Sequence, residues 1–157
     1  TGLEEAGFEI FNHGSGETLA TSMASAYENE EPWFGYYWGP TALLGEYDMV
    51  KVDLGAVKPE VHARNQNPDT ENPGVSDFPA APVLTSVTTD FAEREPEIAE
   101  LMSKVTFDVD TMNALLAWKN ENSASADETA AYFLQNHSDV WSEWINEEAR
   151  SNLQGLL

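Results

Sequence analysis

The chain contains no cysteine among its 157 residues, and it has few basic residues. The missing cysteines exclude a disulfide framework, a zinc site with Cys ligands and a thiol nucleophile. Lys and Arg total 7 against 28 Asp and Glu, so the formal net charge is −21. Because this charge repels nucleic acid phosphates and anionic lipid head groups, we exclude nucleic acid as a partner and do not expect binding to anionic membranes.

Long apolar runs are also missing, since none approaches the roughly 20 residues of a membrane span. The chain begins at Thr1 without an initiating Met or a signal peptide, which predicts a processed product or a fragment. Hydrophobic residues make up 41% of the chain and aromatic residues 11%. This length and composition predict one globular domain with a real hydrophobic core.

Hydrophobic periodicity predicts both strands and helices. Alternation predicts strands at 7–12, 33–38, 49–54 and 83–88. Helical spacing predicts helices at 17–27, 90–104, 108–119, 127–136 and 138–152, and a short helical turn or loop at 41–47. Five prolines between residues 55 and 82 predict a long surface loop. This order of elements indicates an α/β protein.

Particular residues refine the predicted helices. Asp127 and Ser138 are the expected N-caps of the last two. Trp118, Trp141 and Trp144 fall at apolar helix positions, which predicts that they belong to the core.

Motifs typical of enzymes and metal sites are weak. The Gly14-Ser15-Gly16 run before a helix suits a backbone anion site, but a turn is the favoured interpretation. His13, His62 and His137 lack metal-ligand spacing, and the acidic stretch 67–78 lacks the Gly and Glu of a calcium loop. With 28 carboxylates, no acid–base pair stands out. We therefore predict no enzyme, no metal site and no cofactor.

The aromatic segment 33–38 (W-F-G-Y-Y-W) is the most informative part of the sequence. In a strand, Tyr36 and Trp38 share a face and Tyr37 points the other way. A buried core strand remains one interpretation. A ligand site is the other, because the segment ends at 39–40 (Gly-Pro), where a strand would leave the sheet, and ligands bind at strand ends in α/β folds. Aromatic faces in an acidic protein also suit a quaternary ammonium.

The chain resembles the substrate-binding proteins of ABC transporters for glycine betaine, choline and related osmolytes. The first carrying runs are G-F-E-I-F-N-H-G-S-G-E and E-P-W-F-G-Y-Y-W-G-P-T-A-L-L-G-E-Y-D-M-V-K-V-D-L. Later runs are P-V-L-T-S-V-T-T-D-F-A-E-R-E-P-E-I and W-S-E-W-I. Their order and spacing extend the resemblance over essentially the whole chain, and Y-Y-W-G-P-T followed by L-G-E-Y-D-M-V is its most specific part.

The resemblance implies an α/β fold of the type II periplasmic binding protein class, with two lobes and no enzymatic activity. It implies a quaternary-amine ligand such as glycine betaine, choline or trimethylamine N-oxide, delivered to ABC transporter permease subunits from the periplasm or from outside the cell. Trp and Tyr rings cage such a ligand between the lobes. Trp38 matches a cage position of the family, and Tyr36 and Trp33 are further candidates.

Family members are longer, so the resemblance implies that this chain is their C-terminal half. In the usual chain path, residues 1–39 belong to the second lobe, residues 40–48 form the hinge, and residues 49–157 belong to the first lobe. The missing N-terminal half is then a partner that supplies the other cage aromatics and the pairing strands. Exposed strand edges are expected in its absence.

Three alternatives stay open. The first is another amine or a sulfonium compound as the ligand, which would satisfy the same aromatic cage. An acidic hydrolase with a carboxylate pair is a different class, and no nucleophile or metal motif favours it. An acidic interaction module would present its aromatic residues as an exposed docking surface.

Overall fold

The computed structural model describes residues 2–155, and helices are its regular elements. The helices are α1 (Gly2–Glu5), α2 (Gly16–Glu28), α3 (Ala42–Glu46), α4 (Pro59–Asn65), α5 (Thr89–Arg94), α6 (Pro96–Lys104), α7 (Val109–Glu121), α8 (Ala126–Asn136), α9 (Ser138–Trp141) and α10 (Glu147–Gln154). The chain divides into two compact units. Thr1–Asp48 and Phe107–Leu157 form the first, and Met49–Thr106 forms the second.

The hydrophobic core of the first unit lies on α7, α8 and α9. Leu115, Phe133 and Trp141 are its buried members, and Trp144 packs against them. The Trp141 indole Nε1 donates a hydrogen bond of 2.8 Å to the backbone oxygen of Leu134. The core positions predicted for Trp141 and Trp144 are therefore confirmed.

Helix α3 packs on α7 through a very close approach. Asn113 of α7 is buried, and its Oδ1 accepts a 2.7 Å hydrogen bond from the backbone N–H of Thr41. Thr41 is also the N-cap of α3, because its side chain accepts a hydrogen bond from the Leu44 N–H. A buried amide is costly without partners, so this bond ties the start of α3 to α7.

The predicted helices 17–27 and 108–119 are confirmed as α2 and α7, and 41–47 contains the short α3. The single helix predicted over 90–104 is wrong. Helix α5 ends at Arg94, and α6 begins at Pro96 after the nonhelical residue Glu95. Proline suits the first helical position, and it disfavours helical geometry in the residue before it.

The last two helices begin at residues other than the predicted caps. Ser125, not Asp127, is the N-cap of α8 and forms a capping box with Glu128. Hydrogen bonds from the backbone and hydroxyl of Ser125 lower the pKa of the Glu128 carboxyl. The helix predicted over 138–152 is two helices, α9 and α10. Ser138 is the first helical residue of α9 and not its cap, which is His137 without a side-chain cap bond, and Asn146 caps α10.

The four predicted strands are wrong for the described residues, since none of 2–155 is assigned to a strand. The segments 7–12, 33–38, 49–54 and 83–88 lie outside helices, and exposed apolar side chains mark them: Val50 and Val83 are each 87% exposed. A strand needs a neighbouring chain segment to accept its backbone hydrogen bonds, and alternation alone does not supply one. The structure therefore does not confirm the α/β class.

The second unit holds α4, α5 and α6, and α4 lies inside the stretch predicted as a loop. The Asn65 amide donates a 2.8 Å hydrogen bond to the Gly74 oxygen and accepts one of 3.1 Å from the Gly74 N–H. Lys51 Nζ lies 2.8 Å from Asp77 Oδ2, which lowers the pKa of Asp77. The Asn65 bonds hold the proline-rich segment to α4, and the Lys51–Asp77 pair holds it to the chain segment before that helix.

Across the described residues, none of the helices is both long and apolar enough to cross a lipid bilayer.

Candidate functional site

The aromatic segment 33–38 connects α2 to α3 in the first unit. It leads into the Gly39–Pro40 peptide bond, which is cis. The Thr41 N–H bond to Asn113 and the α3–α7 contact hold its far end. The segment is therefore anchored by helices on both sides, although no sheet supports it in the described part of the chain.

Tyr36, Tyr37 and Trp38 bring their rings together, and we call these three residues the aromatic cluster. The Trp38 ring centroid lies 6.1 Å from that of Tyr36 and 4.8 Å from that of Tyr37, with interplanar angles of 34° and 31°. Trp38 is 46% exposed and Tyr36 is 54% exposed. The cluster therefore combines tilted ring contacts with accessible aromatic surface.

The placement of Tyr37 corrects a prediction. Strand alternation put its side chain on the face opposite Trp38, whereas its ring contacts the Trp38 ring. The reason is that the segment is not in a paired strand, so its side chains need not alternate. Tyr37 also lines a cavity of about 330 Å³ together with residues of α2 and α3.

The Trp38 indole lies against the first turn of α2. An ideal Cβ built on Gly16 would be 3.1 Å from Trp38 Cη2 and 3.5 Å from Cζ2. Gly16 is the first residue of the helix, directly after the N-cap Ser15. The six-membered edge of the indole thus packs on backbone that carries no side chain.

The Gly14-Ser15-Gly16 run forms a helix cap, which agrees with the favoured turn interpretation. The Ser15 hydroxyl accepts a 3.3 Å hydrogen bond from the Thr18 N–H, and the Thr18 hydroxyl accepts one of 3.2 Å from the Ser15 N–H. This reciprocal pair is a capping box, so two backbone donors of the first turn already have partners.

Glu17 makes the first turn of α2 more negative. Hydrogen bonds from its own backbone N–H and from the Ser15 hydroxyl lower the pKa of its carboxyl below the ordinary value. The group is therefore charged at neutral pH. A negative charge next to Gly16 favours a cation over an anion in this neighbourhood.

Trp33 packs against the middle of α2. Its Nε1 donates a 3.1 Å hydrogen bond to the Ser22 hydroxyl in the middle of α2. Its ring covers Gly35 so closely that a Cβ there would be 2.7 Å from Trp33 Cη2. Of the three residues proposed from the sequence, Tyr36 and Trp38 have their rings in contact, whereas the Trp33 ring packs over Gly35 and its Nε1 bonds to Ser22.

Ser22→Ala is expected to lower the free energy of unfolding by about 1 kcal/mol, because the partly buried Trp33 N–H loses its acceptor. Chemical denaturation measures the change, and the Trp33 indole N–H signal should shift in the nitrogen-15 NMR spectrum. Ser25→Ala is the matched control, since Ser25 is exposed on the same helix and its hydroxyl accepts a hydrogen bond from the exposed Asn29 amide. Equal effects of the two substitutions would contradict this prediction.

The described residues hold no group of three or more His, Asp or Glu side chains placed to bind a metal ion. The aromatic cluster offers accessible ring faces at Tyr36 and Trp38. Accessible ring faces of this kind can bind an organic cation noncovalently.

A comparison with protein families matches residues 1–136 to the substrate binding domain of the ABC-type glycine betaine transport system. A search of curated proteins finds no match. The family has the type II periplasmic binding protein fold and is in general non-enzymatic. Its members are extracytoplasmic, bind small molecules and work with ABC transporter permease subunits. Because the match spans most of the 157 residues, the chain belongs to this family of substrate-binding domains.

Proposed function

We propose that the chain captures a quaternary-amine osmolyte, such as glycine betaine, choline or trimethylamine N-oxide, for an ABC importer. Trp38 provides the main ring face, Tyr36 and Tyr37 provide neighbouring rings, and Trp33 is a further aromatic contact. The closed, ligand-loaded protein delivers the osmolyte to the permease subunits from the periplasm.

The exposed ring cluster is the observation that carries this proposal. A quaternary ammonium has no N–H to donate, so aromatic faces recognise it, at roughly 0.5–2 kcal/mol for each ring. Trp38 keeps nearly half of its surface accessible while Tyr36 and Tyr37 contact it. The charged Glu17 carboxylate and the net charge of −21 favour a cationic head group.

The proposal includes two lobes that close on the ligand. In this arrangement residues 1–39 belong to the second lobe, 40–48 to the hinge and 49–157 to the first lobe, whereas in the chain by itself Thr1–Asp48 and Phe107–Leu157 pack as one compact unit. A complementary N-terminal half of the binding protein supplies further cage aromatics and pairs with the extended segments. The exposed Phe11, Val50 and Val83 side chains of those segments support this part of the proposal.

A titration of the chain with glycine betaine, choline, trimethylamine N-oxide and the sulfonium analogue of glycine betaine tests the function, with tryptophan fluorescence as the signal. We expect a saturable change with at least one cation. Trp38→Ala should weaken that binding by about tenfold or more, because it removes the most accessible indole face. Trp118→Phe is the control variant, since Trp118 stacks on Tyr132 in the helical part of the unit.

A carboxylate with an uncharged head group makes the test sharper. The compound 3,3-dimethylbutanoate has the shape of glycine betaine with carbon in place of the charged nitrogen, so it lacks the attraction to ring faces. We expect it to bind far more weakly than glycine betaine. Equal binding of the two would contradict recognition through aromatic rings, and no saturable change with any cation would contradict the proposed function.

A further inference from the structure

We infer that Gly16 is a positioning residue for Trp38, and that its missing side chain sets where the indole face meets the ligand. The inference rests on the proposed function and adds a residue of α2 to the determinants of the site. It also gives the Gly14-Ser15-Gly16 run a role beyond capping the helix.

Space, rather than backbone conformation, explains glycine at this position. Gly16 lies in α2 and does not have a positive φ angle, so its conformation is open to any residue. A Cβ at Gly16 would lie 3.1 Å from Trp38 Cη2, which is closer than ordinary van der Waals contact. The ring must then shift by a few tenths of an ångström for alanine and by more for a branched side chain.

Only one side of the indole is held in this way. Tyr37 and Tyr36 lie beside Trp38 with their rings tilted by 31° and 34°, and nearly half of the indole surface is open. The ring therefore has room to move outward when a side chain is added at Gly16. Such a movement changes its distance to Tyr37 and the direction of the face offered to a cation, on which the attraction depends.

Gly14 supplies a matched control two residues earlier. A Cβ on Gly14 meets nothing within 4 Å, and its φ angle is not positive. Gly14→Ala thus makes the same chemical change next to the same cap without contact with Trp38. Steric overlap with the indole increases from none to large across the series Gly14→Ala, Gly16→Ala and Gly16→Val.

Two measurements on the 157-residue chain test the inference. The first is the Trp38 indole N–H signal in the nitrogen-15 NMR spectrum without ligand, assigned from its absence in Trp38→Phe. The second is the affinity for glycine betaine by calorimetry. We expect the signal to shift in both Gly16 variants, with affinity about threefold weaker for Gly16→Ala and about tenfold weaker for Gly16→Val.

Thermal stability separates positioning from a general structural role. Alanine forms helices better than glycine, so Gly16→Ala should keep or raise the melting temperature while affinity falls. A Trp38 signal that does not move in Gly16→Val would overturn the inference whatever the affinities are. Affinity that stays constant across the series, or falls only in step with stability, would also overturn it.

Binding by the unchanged chain distinguishes a wrong proposed function from a wrong role for Gly16. If the unchanged chain does not bind glycine betaine, choline, trimethylamine N-oxide or the sulfonium analogue, the proposed function is contradicted, and the ligand role of Gly16 is contradicted with it. If the unchanged chain binds one of them, the Gly16 series is judged with that cation, and a null result in the series then counts against Gly16 alone.

Discussion

Trp141→Ala is expected to lower the free energy of unfolding by about 3–5 kcal/mol, which is the range for removing a buried aromatic side chain. Trp141 is 2% exposed and packs with Leu115 and Phe133 in the core. Its Nε1 also bonds to the Leu134 oxygen in the last turn of α8, where helical carbonyls lack helical partners. The substitution therefore opens a cavity and removes a helix-end hydrogen bond. Urea denaturation followed by circular dichroism measures the loss.

Two variants divide this effect into its parts. Trp141→Phe keeps most of the ring but not the N–H, so a loss of about 1–2 kcal/mol is expected. Trp118→Phe is the comparison at a half-buried site, where stacking on Tyr132 at 4.0 Å survives the change of ring, and a smaller loss is expected. A Trp141→Ala protein as stable as the unchanged chain would show that the core does not depend on this residue.

Gly45→Ala is expected to lower the free energy of unfolding by about 2 kcal/mol or more, because the added methyl group overpacks the contact between α3 and α7. A Cβ at Gly45 would collide with the Asn113 backbone oxygen, and it would lie 2.7 Å from the Asn113 carbonyl carbon and 2.9 Å from Ala117 Cβ. Backbone atoms of a helix cannot rotate away as a side chain can. The cost therefore exceeds the gain in helix propensity, about 1 kcal/mol, from replacing glycine.

The Gly45 substitution also tests how the aromatic segment is anchored. Displacement of α3 would strain the hydrogen bond from the Thr41 N–H to Asn113. Thr41 lies only three residues after Trp38, so the strain would reach the aromatic segment. We expect the Trp38 indole signal to shift as well as the denaturation midpoint. Gly14→Ala, which meets open space, should change neither. If Gly45→Ala and Gly14→Ala have the same stability, the close packing of α3 on α7 is refuted.

The aromatic cluster was predictable in part. The density of rings in 33–38 and the family resemblance single out Trp38 and Tyr36, and the structure places their rings in contact. Tyr37 was assigned to the wrong face because the alternation rule assumes a paired strand. Gly16 carried a signal only as a glycine before a helix, and nothing local indicates that an indole 22 positions later lies on it.

Local chemistry determined much of the helical structure. Ser15 with Thr18 caps α2, Asp108 caps α7, and Pro96 begins α6, all through bonds or steric effects within four residues. Such capping interactions can be recognised from residues that are neighbours in the sequence. The wrong cap at α8 also came from local competition, since Ser125 rather than Asp127 accepts the hydrogen bond from the Glu128 N–H. The separate start of α10 was missed although its cap, Asn146, is also local.

The sequence by itself determined the acidic character of the chain, most helix positions and the aromatic segment with Trp38 at its end. Only the tertiary structure decided that Tyr37 contacts Trp38, that Gly16 supports the indole and that α3 lies against α7. Helix signals act between residues three or four apart, whereas strand pairing and ring packing depend on segments that are distant in the chain. Alternating apolar residues therefore predicted strands at four places where the described chain supplies no pairing partner.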